Sequence, residues 1–308
     1  MTKKGDLSSF KRIGLGLGVL GATILLSSPY SFAASSANTL NQKAIPMIET
    51  RVGNHVTINL TTEENFVQIA DGVSFHAWTF DGTVPGPVLY LNQGDHVTVT
   101  LHNADPYMMH SIDFHAALVA PSKDFVDVMP GKSKTFSFTA ELPGVFMYHC
   151  ETVPMALHIA QGMYGMVVVT PKGGHKPNVA IEQSEFYQSG NLNDVLNGQP
   201  SFVVFNGKAD RYVDSPLHAK VGEPFTIAFV NAGPNDFSAF HVVGTIIRDA
   251  QASGNPKNNL YDVQAYTVAP GDGAMFTLDF TAPGTYAFVS HSMKQFDKGA
   301  VGKIVVTN

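Results

Sequence analysis

The chain has a single cysteine, Cys150, in 308 residues, so no intrachain disulfide holds it together. It has one tryptophan, only 14% charged residues, and no long run of lysine and arginine against a formal net charge of −6. Lacking a basic face, it is not expected to partner nucleic acid. With 44% apolar residues and so little charge, a well-buried core is expected and a disordered chain is not. Long apolar runs are missing after the first residues, so no later segment is expected to cross a bilayer as a helix.

The first residues carry a targeting signal. Lys3, Lys4, Lys11 and Arg12 precede an apolar run over 13–26, and Ser31-Phe32-Ala33 fits a signal-peptidase site. Residues 1–33 are therefore expected to be a signal peptide. The protein is expected to be exported, to the periplasmic or extracellular face of the cell envelope. The alternative is an uncleaved membrane anchor, for which the run is short. No cysteine lies near the cleavage region, which excludes a lipoprotein. In an exported chain a lone thiol meets oxidants unless something occupies it.

Frequent glycine and proline, with recurring Val, Thr and Phe, favour short strands joined by turns. The chain also repeats itself. Phe80-Asp81-Gly82 precedes a strand pattern running from Gly94 through Asn103-Ala104, and Phe205-Asn206-Gly207 precedes one running from Gly222 through Asn231-Ala232. Pro130-Gly131 and Pro270-Gly271 follow, each leading an alternating strand, then Pro143-Gly144 and Pro283-Gly284, each leading a strand that ends near His149 or His291. The alternation over 135–139 and 275–280 has the period of half-buried strands. So long a period means domain duplication and not a solenoid. Two β-sandwich domains are expected, at 40–172 and 200–308, with 173–199 as linker.

The decisive segment runs Tyr148-His149-Cys150 to His158 and Met163. With His110 from the preceding strand region, it offers two imidazoles, one thiolate and a weak thioether, the donor set of blue-copper electron-transfer sites. Met155 competes with Met163 as the axial ligand; a loop returning through His158 favours Met163. Neighbouring strand residues point to opposite faces. If Cys150 faces a metal inward, His149 faces outward, and His115 diverges from His110 in the same way. His115 and His149 are thus expected to be two ligands of a second metal site at the domain surface.

The strings His110-Ser111-Ile112-Asp113-Phe114-His115-Ala116-Ala117, Tyr148-His149-Cys150 and His158-Ile159-Ala160-Gln161-Gly162-Met163-Tyr164-Gly165 resemble the copper-containing nitrite reductases, most closely the branch with the shorter loop between Cys and second His. Phe80-Asp81-Gly82-Thr83-Val84-Pro85-Gly86-Pro87, Phe240-His241-Val242-Val243-Gly244 and Ser290-His291-Ser292 find counterparts too, so the resemblance spans nearly the whole mature chain. It implies an all-β fold of two tandem cupredoxin-like Greek-key β-sandwich domains. It implies one type 1 copper on His110, Cys150, His158 and Met163, and one type 2 copper on His115, His149 and His291. In this family the third type 2 ligand comes from a neighbouring subunit, so a homotrimer is implied, with type 2 copper between subunits. Asp113 and His241 match the pair that handles protons, and Val243 matches an aliphatic residue crowding the substrate. The implied activity is dissimilatory reduction of nitrite to nitric oxide and water, with a small redox protein as electron donor.

Two features depart from the family pattern. Leu118-Val119-Ala120-Pro121-Ser122-Lys123-Asp124 stands where many members are glycine-rich, which bears on pocket shape, docking and substrate, and the interdomain linker is short. Two rivals stay open: a related trimeric multicopper oxidoreductase acting on oxygen or another small oxidant, and an electron-transfer cupredoxin without nitrite turnover. A laccase-like trinuclear cluster is disfavoured, because the chain has no His-x-His pair.

Overall fold

Alternation decides the first sheet. In His55–Ala70 the residues Val56, Ile58 and Leu60 turn inward, in His96–Asn103 Val97, Val99 and Leu101 do so, and in Ser133–Thr139 Phe136 and Phe138, each separated by a polar residue that faces water. In the computed structural model, which describes residues 49–308, these strands are neighbours. The expected signal peptide, 1–33, lies outside the described residues.

The first sandwich contains β1 (Glu49–Val52), β2 (His55–Ala70), β3 (Val73–Phe80), β4 (Leu89–Asn92), β5 (His96–Asn103), β6 (Asp113–Phe114), β7 (Ser133–Thr139), β8 (Gly144–His149) and β9 (Tyr164–Thr170), with short helices α1 (Pro121–Asp124) and α2 (Met155–Ala160). One sheet has the order β1-β2-β5-β7, with β3 also on β2; the other has the order β4-β9-β8-β6. The second sandwich contains β10 (Val179–Phe186), α3 (Leu192–Leu196), β11 (Phe202–Phe205), α4 (Arg211–Asp214), β12 (Ser215–Lys220), β13 (Phe225–Asn231), β14 (Ser238–Val242), β15 (Ile247–Ala252), β16 (Asn259–Val263), β17 (Ala265–Val268), β18 (Gly273–Leu278), β19 (Gly284–Ser290), α5 (Met293–Phe296) and β20 (Val301–Thr307). Its sheets run β11-β10-β13-β18-β15-β16 and β12-β20-β19-β14-β17. Parallel β2–β5 and β10–β13 pairs beside antiparallel neighbours give each sandwich its Greek-key connections. Among the described residues no helix is long and apolar enough to cross a membrane.

The duplication is visible in hydrogen bonds. Asp81 and Asn206 both sit at positive φ, and each exchanges two bonds with its partner strand: Asp81 with Thr61, Asn206 with Glu182. Asn103 donates from its side chain to Met108 O and Val128 O, and Asn231 donates in the same way to Asp236 O and Val268 O. Each such buried bond contributes on the order of 1 kcal/mol net, and orphaning its partner costs about 1–3 kcal/mol. Both asparagines therefore clamp a loop that could not otherwise be buried.

The stretch 173–199 is not a free linker. It holds β10, which joins the second sandwich between β11 and β13, and α3. Every position of β10 after Val179 is buried, on both faces, so no alternation marks it. The strand over 275–280 is likewise not half-buried: β18 is buried at every position but Met275, because β8 of the first sandwich packs on its second face. A third apolar core thereby fills the space between the sandwiches, with Val145, Met147, Met166 and Val168 against Phe186, Ala228 and Val230. The far half of β2 and β3 reaches over as an arm. Ala209 N–H donates to Ile69 O at 2.8 Å and Phe75 meets Phe186 edge-on at 5.0 Å. Gly207, at φ +80°, lets its backbone close on Val84 O and Pro85, where a β-carbon has no room.

Candidate metal centres

β8 delivers the centre of both sites. Its last residue is His149, and Cys150 follows. The Cys150 side chain enters the first core, and its N–H donates to Met163 O at 3.1 Å, which ties the outgoing chain to the returning one. Between them α2 turns the chain and seats His158 in its second half, fully buried. His110 comes from the loop after β5, held by backbone bonds in both directions with Val128.

These three converge. Cys150 Sγ lies 3.3 Å from His158 Nδ1 and 3.9 Å from His110 Nδ1, and the two imidazoles meet edge to face at 5.2 Å. Ser111 N–H donates to the sulfur at 3.4 Å. Burial pushes the Cys150 thiol up, against the pull of the hydrogen bonds from Ser111 and Thr152. Burial, and next the neighbouring His110, push His158 down to about 4, so it is neutral with a free lone pair at ordinary pH. Met163 is fully buried in the same apolar cluster as Cys150, whereas Met155 is 38% exposed at the start of α2.

The second group lies on the other side of the same backbone. His115 Nε2 and His149 Nε2 face each other at 3.1 Å, and Asp113 Oδ2 is 3.8 Å from both. His149 Nδ1 is 3.0 Å from Cys150 O, and His115 Nδ1 is 3.1 Å from Gly271 O of the second sandwich. Each Nδ1 therefore carries the proton, since a carbonyl only accepts. Two bare Nε2 lone pairs are left pointing at one another, an arrangement that asks for a cation between them. Burial, ahead of every other cause, lowers His149 and keeps it unprotonated. His149 was expected at the surface. It does face away from the core, but its side chain is only 7% exposed, with the His115 ring packed against it at 5.1 Å.

His291 is not in this group. It follows β19 on the second sandwich, exposed, with its ring 5.4 Å from that of His241 on β14. His241 Nδ1 donates to Gln264 O. Val243 is 50% exposed one residue beyond β14, on the same side as His241 by strand alternation. Asp113, His115 and His149 thus form one cluster, and His241 with His291 another. The departure at 118–124 contains α1, flanked by Val119 and Phe125, which pack on the first core.

Several site residues carry no sequence signature. Asp105 is buried and bonds His110 Nε2 at 2.9 Å; Trp78 lies over His158 at 4.8 Å; Thr152 bonds Ser111 and Asp127. The single tryptophan was a composition count only, and Asp105 is visible beforehand only through its place after the repeated asparagine.

The donor chemistry fits copper. One soft thiolate and two imidazoles in a pocket closed to water suit a metal that alternates between two charge states, and a pair of bare imidazole nitrogens suits a second ion. On two cupredoxin-like sandwiches, this defines a two-domain copper protein of the cupredoxin fold. The multicopper oxidase family model matches residues 61–174. The copper-containing nitrite reductase of Neisseria meningitidis serogroup A is 36% identical over 279 residues, covering 85% of this chain and 72% of that protein. The structure of the copper nitrite reductase from Nitrosomonas europaea superposes with a TM-score of 0.79 at 40% identity, covering 82% of this chain and 94% of that one. The copper-containing nitrite reductase from Thermus scotoductus gives 0.76 at 34% identity, over 82% and 62%. The chain belongs to the copper-containing nitrite reductases and is an oxidoreductase.

Proposed function

We propose that the protein is an exported enzyme that reduces nitrite to nitric oxide and water, using one electron and two protons. The observation that carries this is the adjacency of His149 and Cys150. One belongs to the half-exposed histidine pair and the other to the buried thiolate cluster, so a covalent path joins them. His110, Cys150, His158 and Met163 would hold a type 1 copper, and His115 and His149 a type 2 copper completed by His291 of a second copy of the chain. Bound there, copper supplies a one-electron carrier at the first set and an open position for a small anion at the second.

The chain's own groups do the rest. Asp113 stands 3.8 Å from both histidines, placed to accept a hydrogen bond from a protonated substrate and to hand on a proton. His241, fixed through Nδ1, keeps Nε2 for proton transfer. Val243, on the same side, narrows the space for anything larger than a small anion. A small redox protein would deliver the electron over the type 1 cluster. There Met109 and Met129 flank the His110–Val128 bridge, and Tyr107 lies two residues before Met109, all three exposed. The segment over 1–33 is the basis for placing this chemistry outside the cytoplasmic membrane.

Copper-loaded protein given an artificial reductant and nitrite is expected to form nitric oxide. Oxygen uptake without nitric oxide would transfer the protein to the oxygen-reducing rival, and colour with neither activity to the electron carriers. Because His291 lies apart from the cluster it would complete, sedimentation is expected to show a homotrimer. A metallated monomer with full turnover would exclude that arrangement.

A further inference from the structure

Asp105 meets more partners than its loop requires. Its side chain is wholly buried. Oδ1 accepts from Tyr107 N–H at 2.7 Å and Met108 N–H at 3.1 Å, and Oδ2 lies 2.9 Å from His110 Nε2. Its own N–H donates to Asn103 Oδ1 at 3.0 Å.

The second sandwich contains the matching loop without a cysteine cluster. Gly233 N–H donates to Asn231 Oδ1 at 3.4 Å, as Asp105 does to Asn103. The two amides that follow, Asn235 N–H and Asp236 N–H, donate to Glu185 Oε1 at 3.2 and 2.7 Å. Glu185 reaches in from β10 and fills the place where a side chain on Gly233 would stand. Ser238 pairs with Val268 there as His110 pairs with Val128. A carboxylate oxygen thus braces this loop in both sandwiches. The bond to an imidazole occurs only in the first.

We propose that Asp105 is a positioning residue for the type 1 copper, which sets the tautomer of His110 and lowers the reduction potential of the site. The proposal rests on the type 1 assignment made above. A carboxylate only accepts, so Oδ2 holds the proton on Nε2 and leaves the Nδ1 lone pair directed at Cys150 Sγ. A negative charge behind the ring raises its basicity, and a more basic ligand favours the more highly charged, oxidised metal. Both side chains are shut off from water, which strengthens the effect. His158 has no such support: among the described residues its buried Nε2 has no hydrogen-bond partner. The two imidazoles are therefore unequal, with His110 the tighter anchor for the oxidised state.

The test is Asp105→Asn in the full chain. The amide oxygen can still accept from Tyr107 and Met108, but its nitrogen cannot accept from Nε2–H. Redox titration of the visible band is expected to show a higher potential than wild type. Copper(II) affinity is expected to fall about ten- to hundredfold, the usual loss when a ligand histidine is deprived of its partner. Thermal unfolding without metal is expected to change little. Asp105→Ser, which keeps one loop acceptor without the charge, is expected to shift the potential the same way, and Asp105→Glu to restore most of it. Glu185→Gln, which perturbs the matching brace, is expected to leave the potential alone. Wild-type potential and affinity in Asp105→Asn would overturn the proposal, and so would an equal shift in Glu185→Gln, because the cause would then be general loosening. A wild-type protein that binds copper without a blue band would remove the type 1 assignment itself.

Discussion

Cys150→Ser is expected to give a colourless protein that still folds. The intense visible absorption of an oxidised cysteine–histidine copper site comes from the metal–thiolate bond, and Cys150 is the only thiol in the chain. The exchange of sulfur for oxygen is small in volume. The new hydroxyl stands where Ser111 N–H and the Ser111 hydroxyl already approach the sulfur, so the buried group keeps partners. The histidine pair loses neither nitrogen, and its copper signal in paramagnetic resonance is expected to remain. Nitrite turnover driven by a redox-protein donor should disappear, because the first station on the electron's route is gone. An intense blue band in the variant would sink the type 1 assignment.

Asp113→Asn and His241→Ala are expected each to cut nitrite turnover by roughly a hundredfold or more, as when a general acid–base group is removed. Blue colour and electron uptake at the cysteine cluster should survive both, since neither side chain touches it. The motive is geometric. Among the described residues Asp113 pairs with no arginine or lysine, and it stands equidistant from His115 and His149, which a carboxylate bracing a turn need not do. His241 is anchored at one nitrogen to Gln264 O and is not enclosed at the other. Turnover like wild type in both variants would refute the proton role.

Much of the frame was legible because alternation marks strands that bury one face. Phe136 and Phe138, or Val97 and Val99, announce both the strand and its inner side. Legibility failed where a strand is covered on both faces. β10 showed no period and passed for linker, whereas β18 showed the period and was read as a strand, but its burial on both faces was not readable. Among site residues, Cys150, His158 and His110 were readable from residue type and order, and the structure brings them together. The outward histidines were readable by parity, though not the burial of His149, which packs against His115, itself held by Gly271 O from far along the chain. Asp105 and Trp78 had no signature, because their roles lie in what a fold places beside them.

The core between the sandwiches has a consequence for the chain as an object that must be made and kept. Val145, Met147, Met166 and Val168 are as dry as any residue at the centre of either sandwich. Severed near the join, each half would show a broad oily face to water and remain dissolved only by finding the other half again. The second sandwich, which holds no thiol, is thus the cover that keeps this face of the cysteine-bearing sandwich out of water.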